Sequence, residues 1–200
     1  MPRRRGVAWA LGLIFFSGCA DDLPPTITPP VSTSDDWNTV EGGAIRWSEL
    51  QKNPATVLVF LGLDCPISNA YAPEMIRLHR EFSPQGVAWV GIYPDADVKP
   101  EDALRHAREY GLRFPLVLDS SRSLARRFGA TKMPEAVGLS SSGEVVYRGR
   151  IDDRFYDLGK SRGEPQRRDL REALQAVLSG RNPSVSHAPA IGCDIDLTNP

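Results

Sequence analysis

Three cysteines in 200 residues carry the reactive chemistry of this chain, and Cys65 is the best placed of them. An apolar run, Val57 to Leu63, delivers it into Asp64-Cys65-Pro66-Ile67-Ser68 and then into a helix-like segment. That order puts a thiol where a strand ends and a helix begins. Unpaired N–H groups and a partial positive charge at a helix start stabilise a thiolate, and can lower its pKa well below the ~8.5 of free cysteine. Asp64 opposes this if its carboxylate faces the sulfur. Cys193 follows the last helix, in a segment with Pro183, Pro189 and Gly192 that reads either as a flexible tail or as an extended arm packed back on the domain. Its sulfur has three readings. It is a resolving cysteine that attacks a sulfenic acid or mixed disulfide on Cys65, one half of a static Cys65–Cys193 staple, or an unpaired or intermolecular thiol.

The third cysteine, Cys19, directly follows a leader-like segment. Arg3-Arg4-Arg5 followed by the apolar stretch Val7 to Phe16 has the charge order and length of a signal peptide and is too short for a convincing membrane span. Phe16-Ser17-Gly18-Cys19 resembles the bacterial lipobox, whose cysteine receives lipid; the alternative is an ordinary secretory signal cleaved nearby. Residues 1–18 are therefore expected to be a leader and 19–36, rich in Pro, Ser, Thr and Asp, a flexible tether. The protein is then expected in the cell envelope, held to a membrane by its lipid and facing the periplasm or exterior. With Cys19 lipidated, Cys65 and Cys193 remain as an even pair in a disulfide-permissive compartment.

The leader holds three arginines and no acid, so removing it leaves 21 basic residues against 25 acidic, a balance of −4. Nothing in that balance suggests nucleic acid. The remaining roughly 160 residues suit one domain without internal repeats.

The elements that must position Cys65 alternate. Strand signals at 56–63, 86–93 and 114–118 are separated by helix signals at 68–82 and 100–110. A short helix capped by Asp119 or Ser120 runs to Phe128, and a hairpin joins 136–139 to 144–150 through Ser140-Ser141-Ser142-Gly143. A last amphipathic helix spans 167–178, with Leu170, Leu174, Val177 and Leu178 on one side. Trp37, Trp47, Trp89 and Phe114 are assigned to the core. This order predicts an α/β fold with a mixed central sheet flanked by helices, over residues 37–180, followed by a C-terminal extension, 181–200, that carries Cys193.

The same order resembles the thioredoxin fold with the insertion of redoxins and peroxiredoxins. Cys65 matches the first cysteine of the thioredoxin motif, Pro73 the proline that kinks the following helix, and Met133-Pro134 the pair whose peptide bond is cis. Cys65-Pro66-Ile67, the run Tyr147 to Arg154 and Gly192-Cys193 together resemble a secreted redoxin subgroup of the alkyl hydroperoxide reductase and thiol-specific antioxidant family. The resemblance implies a thiol oxidoreductase with Cys65 as attacking sulfur and Cys193 as resolver. Its substrate groove would be walled by Pro66, Met133, Pro134 and Arg150.

Departures narrow the chemistry. Ser68 replaces the second cysteine of Cys-x-x-Cys, so no dithiol forms within the motif. Leu58 and Gly62 stand where peroxiredoxins carry a proline and a hydroxyl residue that orients peroxide, which argues against efficient peroxidase turnover. Val59 stands where thioredoxins bury a carboxylate. His79, His106 and His187 lack metal-like spacing, and Asn69 removes the Cys-x-x-x-Cys of copper-delivery relatives, so no metal or cofactor is expected. His79 and His106 are read as ordinary helix-surface residues. Arg148 and Arg150 are read as a solvated strand edge with ion pairs or as an anion contact near the sulfur. The expected partners are a thiol or disulfide protein, or a small peroxide. A non-catalytic binding module that recruits another envelope protein through the groove beside Met133-Pro134 is the alternative.

Overall fold

The computed structural model describes Met1 and residues 36–198. The leader and tether expected over residues 1–36, with Cys19 between them, lie outside the described residues except at Met1 and Asp36. The chain runs β1 (Asp36–Asn38), β2 (Ala44–Arg46), α1 (Trp47–Leu50), β3 (Ala55–Phe60), α2 (Pro66–Ala70), α3 (Ala72–Phe82), β4 (Val87–Tyr93), α4 (Pro100–Tyr110) and β5 (Leu116–Leu118). It continues with α5 (Ser123–Phe128), β6 (Lys132–Met133), β7 (Glu135–Ser140), β8 (Val145–Gly149), β9 (Phe155–Asp157), β10 (Lys160–Ser161), α6 (Asp169–Leu178), β11 (His187–Ala188) and β12 (Cys193–Asp194).

A six-stranded mixed sheet in the order β11-β8-β7-β3-β4-β5 forms the centre. β3, β4 and β5 run parallel, β7 and β8 antiparallel to their neighbours, and β11 adds in parallel along β8. β3 is buried along its whole length, as a central strand covered on both faces must be. Its alternate residues serve two cores: Val57 and Val59 pack with α3, α4 and α6, Leu58 and Phe60 with α1 and α5. Trp37, Trp47, Trp89 and Phe114 are buried as expected.

Local chemistry accounts for the element boundaries. The single helix expected over 68–82 is two, α2 and α3, divided at Tyr71. Pro73 sits in the first turn of α3, where its missing N–H costs nothing. Asp119 accepts the amides of Leu124 (3.0 Å) and Ala125 (2.8 Å), so the expected carboxylate cap on α5 is present. Gly111 and Gly129 end α4 and α5 with positive φ, where a side chain would be strained.

The extension after α6 is an arm packed back on the domain, the second of its two readings. Arg148 N–H donates to Ser186 O and Arg150 N–H to Ala188 O, both at 2.9 Å, which lays the arm along the sheet edge. Gly149 has φ +142°, and a Cβ there would sit 1.8 Å from the Ala188 carbonyl oxygen, so only glycine lets the arm pass. The arm then crosses to β6, where Cys193 pairs with Met133 and Asp194 with Lys132 in antiparallel register.

Candidate active site

Cys65 follows β3 by five residues and immediately precedes α2, with Pro66 at the first helical position. The loop between is fixed from within. Gly62 N–H donates to the Ser68 hydroxyl at 3.3 Å, so the residue that replaces the second motif cysteine ties the loop to the helix. The peptide bond between Met133 and Pro134 is cis, as expected from the resemblance.

Cys65 is buried, at 3% exposure. Its sulfur makes no capping hydrogen bond to α2. It turns instead across the fold. The Cys65 thiol donates to the Met133 carbonyl at 3.0 Å, and the Cys193 thiol donates to Cys65 Sγ at 2.7 Å. Both residues are free thiols here. Burial, helped by the contact with Cys65 and by Asp95 and Asp194, pushes the Cys193 thiol up to about 11. Cys193 therefore holds its proton at neutral pH and is the member of the pair fitted to donate.

A cavity of about 1160 Å3 opens beside the sulfurs. Pro66 and Met133 line it, together with Asp64, Asn69, Asp95 and Arg122. Asp64 is exposed. Burial, opposed by Arg122, raises the Asp95 carboxyl above the usual carboxylate range, and Asp64 and Asp97 add to the rise. Pro134 is buried behind Met133 and is not among the lining residues.

Pro134 is thus not a groove wall, and two further expectations need correction. Arg150 does not line the groove. Its Nε donates to Asp169 Oδ2 at 2.8 Å, with the Asp169 side chain fully buried, so this arginine neutralises a carboxylate at the start of α6. Its neighbours in the Tyr147–Arg154 run are scaffolding as well. Asp152 accepts the Tyr71 hydroxyl at 2.8 Å across the α2–α3 break, and Asp153 accepts the amides of Gln166 and Arg167.

His106 is not a surface residue. It is 7% exposed and lies on the face of α4 that carries Ala103 and Ala107, which is the spacing that could have revealed it. His106 Nε2 stands 2.8 Å from Asn69 Oδ1, an atom that can only accept, so Nε2 carries the proton. Tyr93 OH then donates to Nδ1 at 2.8 Å, and Asn69 Nδ2 donates to Leu63 O at 2.9 Å. Burial lowers the imidazole's proton affinity below its usual value. A neutral histidine thus clamps α2 and the loop before Cys65 to β4 and α4. His79 is half-buried, edge-on to Trp89 and Phe114. His187 is exposed on the arm.

A buried cysteine at a strand-to-helix junction, facing a cis-proline loop in a mixed sheet, is a redoxin arrangement, and the AhpC/TSA family model matches residues 26–152. The chain belongs to the AhpC/TSA family. Cys65 falls within the matched span and Cys193 beyond it. A thiol-disulfide oxidoreductase ResA of Halalkalibacterium halodurans is 26% identical over 140 residues, which is 70% of this chain and 78% of the relative. Among solved structures, an uncharacterized conserved protein from Geobacillus kaustophilus superposes with a TM-score of 0.71 at 27% identity, covering 84% of this chain and 92% of that one. A secreted Mycobacterium tuberculosis disulfide oxidoreductase shares the fold, with a TM-score of 0.51 at 18% identity over 73% of this chain and 95% of its own. The fold is thioredoxin-like.

Proposed function

We propose that the protein is an extracytoplasmic thiol–disulfide oxidoreductase, held to a membrane through lipid on Cys19, in which Cys65 attacks and Cys193 resolves. The observation that carries this reading is the direct contact of two free thiols beside the Met133 carbonyl, 2.7 Å apart. In the reaction the Cys65 thiolate attacks one sulfur of a substrate disulfide, forming a mixed disulfide and expelling the other sulfur as a thiolate that takes up a proton. Cys193 then loses its proton, attacks Cys65 Sγ and releases the second substrate thiol. Two protein thiols are oxidised and one substrate disulfide is reduced.

Disulfide exchange is favoured over peroxide turnover by Gly62. A Cβ at that position would lie 2.9 Å from Cys65 Cβ and 3.3 Å from Met133 Sδ, leaving no room for the hydroxyl residue that orients peroxide. The names of the relatives support the same chemistry.

The test is thiol counting and peptide mapping of the reduced mature protein before and after oxidised glutathione. The expected product is a Cys65–Cys193 disulfide with two glutathione thiols released per protein. Two thiols that persist unchanged would return the domain to the binding-module reading. Location has its own test: Cys19→Ala should move the protein from the membrane fraction to the soluble one, and a wild type already soluble would end the lipoprotein assignment.

A further inference from the structure

The arm does more than deliver a sulfur. Residues 192–195 lie against β6 as an added antiparallel strand, extended by Ile195 N–H donating to Thr131 O at 2.9 Å. Their side chains alternate as strand geometry requires. Cys193 turns inward onto Cys65. Asp194 turns outward and pairs with Lys132. Ile195 turns inward again and is 5% exposed in the core that holds Trp37 and Phe60. Gly192 is dictated by clearance, since a Cβ there would fall 2.1 Å from the Met133 carbonyl oxygen.

While the arm is seated, Cys65 is covered by Met133 on one side and Cys193 on the other. An incoming disulfide must approach the attacking sulfur in line, so the arm has to leave before Cys65 can react. From this we infer that residues 192–195 are an internal copy of the substrate. The partner is a protein whose cysteine sits in an extended segment, after a small residue, before an acidic one, and two positions ahead of a branched aliphatic one. It takes the arm's place on β6 and forms the mixed disulfide with Cys65. β11 keeps the displaced arm tethered at a high local concentration, so Cys193 returns to form the Cys65–Cys193 bond and expels the partner's thiol as it reseats. Oxidation of the pair and release of the product are one event.

This rests on the proposed exchange activity, and one experiment separates the two. The probe is a nonapeptide with the sequence of residues 189–197, its cysteine carried as a mixed disulfide with glutathione. The comparators are the same peptide with Gly192→Val, Asp194→Lys or Ile195→Ser, and oxidised glutathione alone. With the reduced full chain, release of glutathione from the parent peptide should be at least about tenfold faster than from oxidised glutathione, the scale set by burying one aliphatic side chain. Each altered peptide should be slower than the parent. Gly192→Val in the protein, which unseats the arm, should speed the reaction with the parent peptide further. Equal rates for all four peptides and oxidised glutathione would overturn the inference and leave a small-molecule exchanger. No reaction with any probe would overturn the exchange activity itself, and the inference with it.

Discussion

The two sulfurs are held by opposite strategies. Cys65 is placed by its own neighbourhood: a fully buried strand before it, a proline-started helix after it, and Ser68 closing the loop within three residues. Cys193 is placed by distant partners. Its arm depends on two two-residue strands, a glycine at position 149 to pass the sheet edge, and another at 192 to pass Met133. A site built this way has one sulfur that moves only if the domain unfolds, and one that can leave while the domain stays folded.

Removing each sulfur should give the largest contrast. Cys65→Ser should reduce disulfide exchange to background, a loss of at least about a thousandfold, as expected when an attacking thiolate is deleted. Cys193→Ser should leave the first attack intact and halt at a mixed disulfide on Cys65, visible as a stable adduct by mass spectrometry. If the two variants lose activity alike and no adduct accumulates, the division between attacker and resolver fails.

Stability should divide the molecule the same way. Leu58→Ala removes a side chain with 0% exposure from β3 and should cost about 2–5 kcal/mol in urea unfolding. Ile195→Ala, although buried at 5%, should cost less than that globally because the arm can open without the core. Its signature is faster alkylation of Cys193 at an unchanged rate of global unfolding. An equal loss of stability in the two variants would mean that arm and core fold as one unit.

That division also decides which parts of the fold the sequence makes legible. The core strands, α4 and the α5 cap can be read because each writes a local pattern: an apolar run, a helical face, an acid before a helix; the cis bond at Met133-Pro134 follows from the resemblance to the thioredoxin fold. β11 and β12 write none. A two-residue strand has no periodicity, and its partners lie far away in the chain, so whether the tail was free or docked stayed open. Arg150 takes the ion-paired one of its two readings and not the groove position, for a related reason. A basic residue at a strand edge looks like an anion contact until the buried Asp169 is seen opposite it. His106 is hidden by its residue type and revealed only by its position, on the face of α4 that Ala103 and Ala107 share.

Protonation offers a smaller contrast on the arm side. The Cys193 thiol rises from 9.0 to about 11 in the docked arm, so at pH 8 its thiolate fraction, and its alkylation rate, should be about a hundredfold below that of an unperturbed thiol. The sign follows from the docked state favouring the protonated form. Arm docking is at full strength below about pH 9 and weakens as the pH rises toward 11. Ile195→Ala should erase most of the difference. A Cys193 that alkylates in the intact protein like an open-chain cysteine would show that the arm is already detached.

The mildest effect is expected at the histidine clamp on the Cys65 side. His106 is neutral between Tyr93 and Asn69, and burial holds its proton affinity below the usual value, against Glu109 and Asp64, which pull the other way. A group whose pKa is lowered by folding stabilises the fold above its unfolded value, near 6.5, and loses that contribution as the pH falls through the folded value. The urea midpoint of the wild type should therefore drop between pH 7 and pH 5 by more than that of His106→Gln, which cannot take up the proton. His79, lowered by its own burial, titrates in both proteins and cancels in the comparison. At pH 7 the variant should also exchange more slowly at Cys65, because Asn69 loses the partner that holds it on the Leu63 carbonyl. A variant whose pH profile parallels the wild type would place the buried imidazole outside the clamp, and leave Ser68 as the contact that fixes the loop.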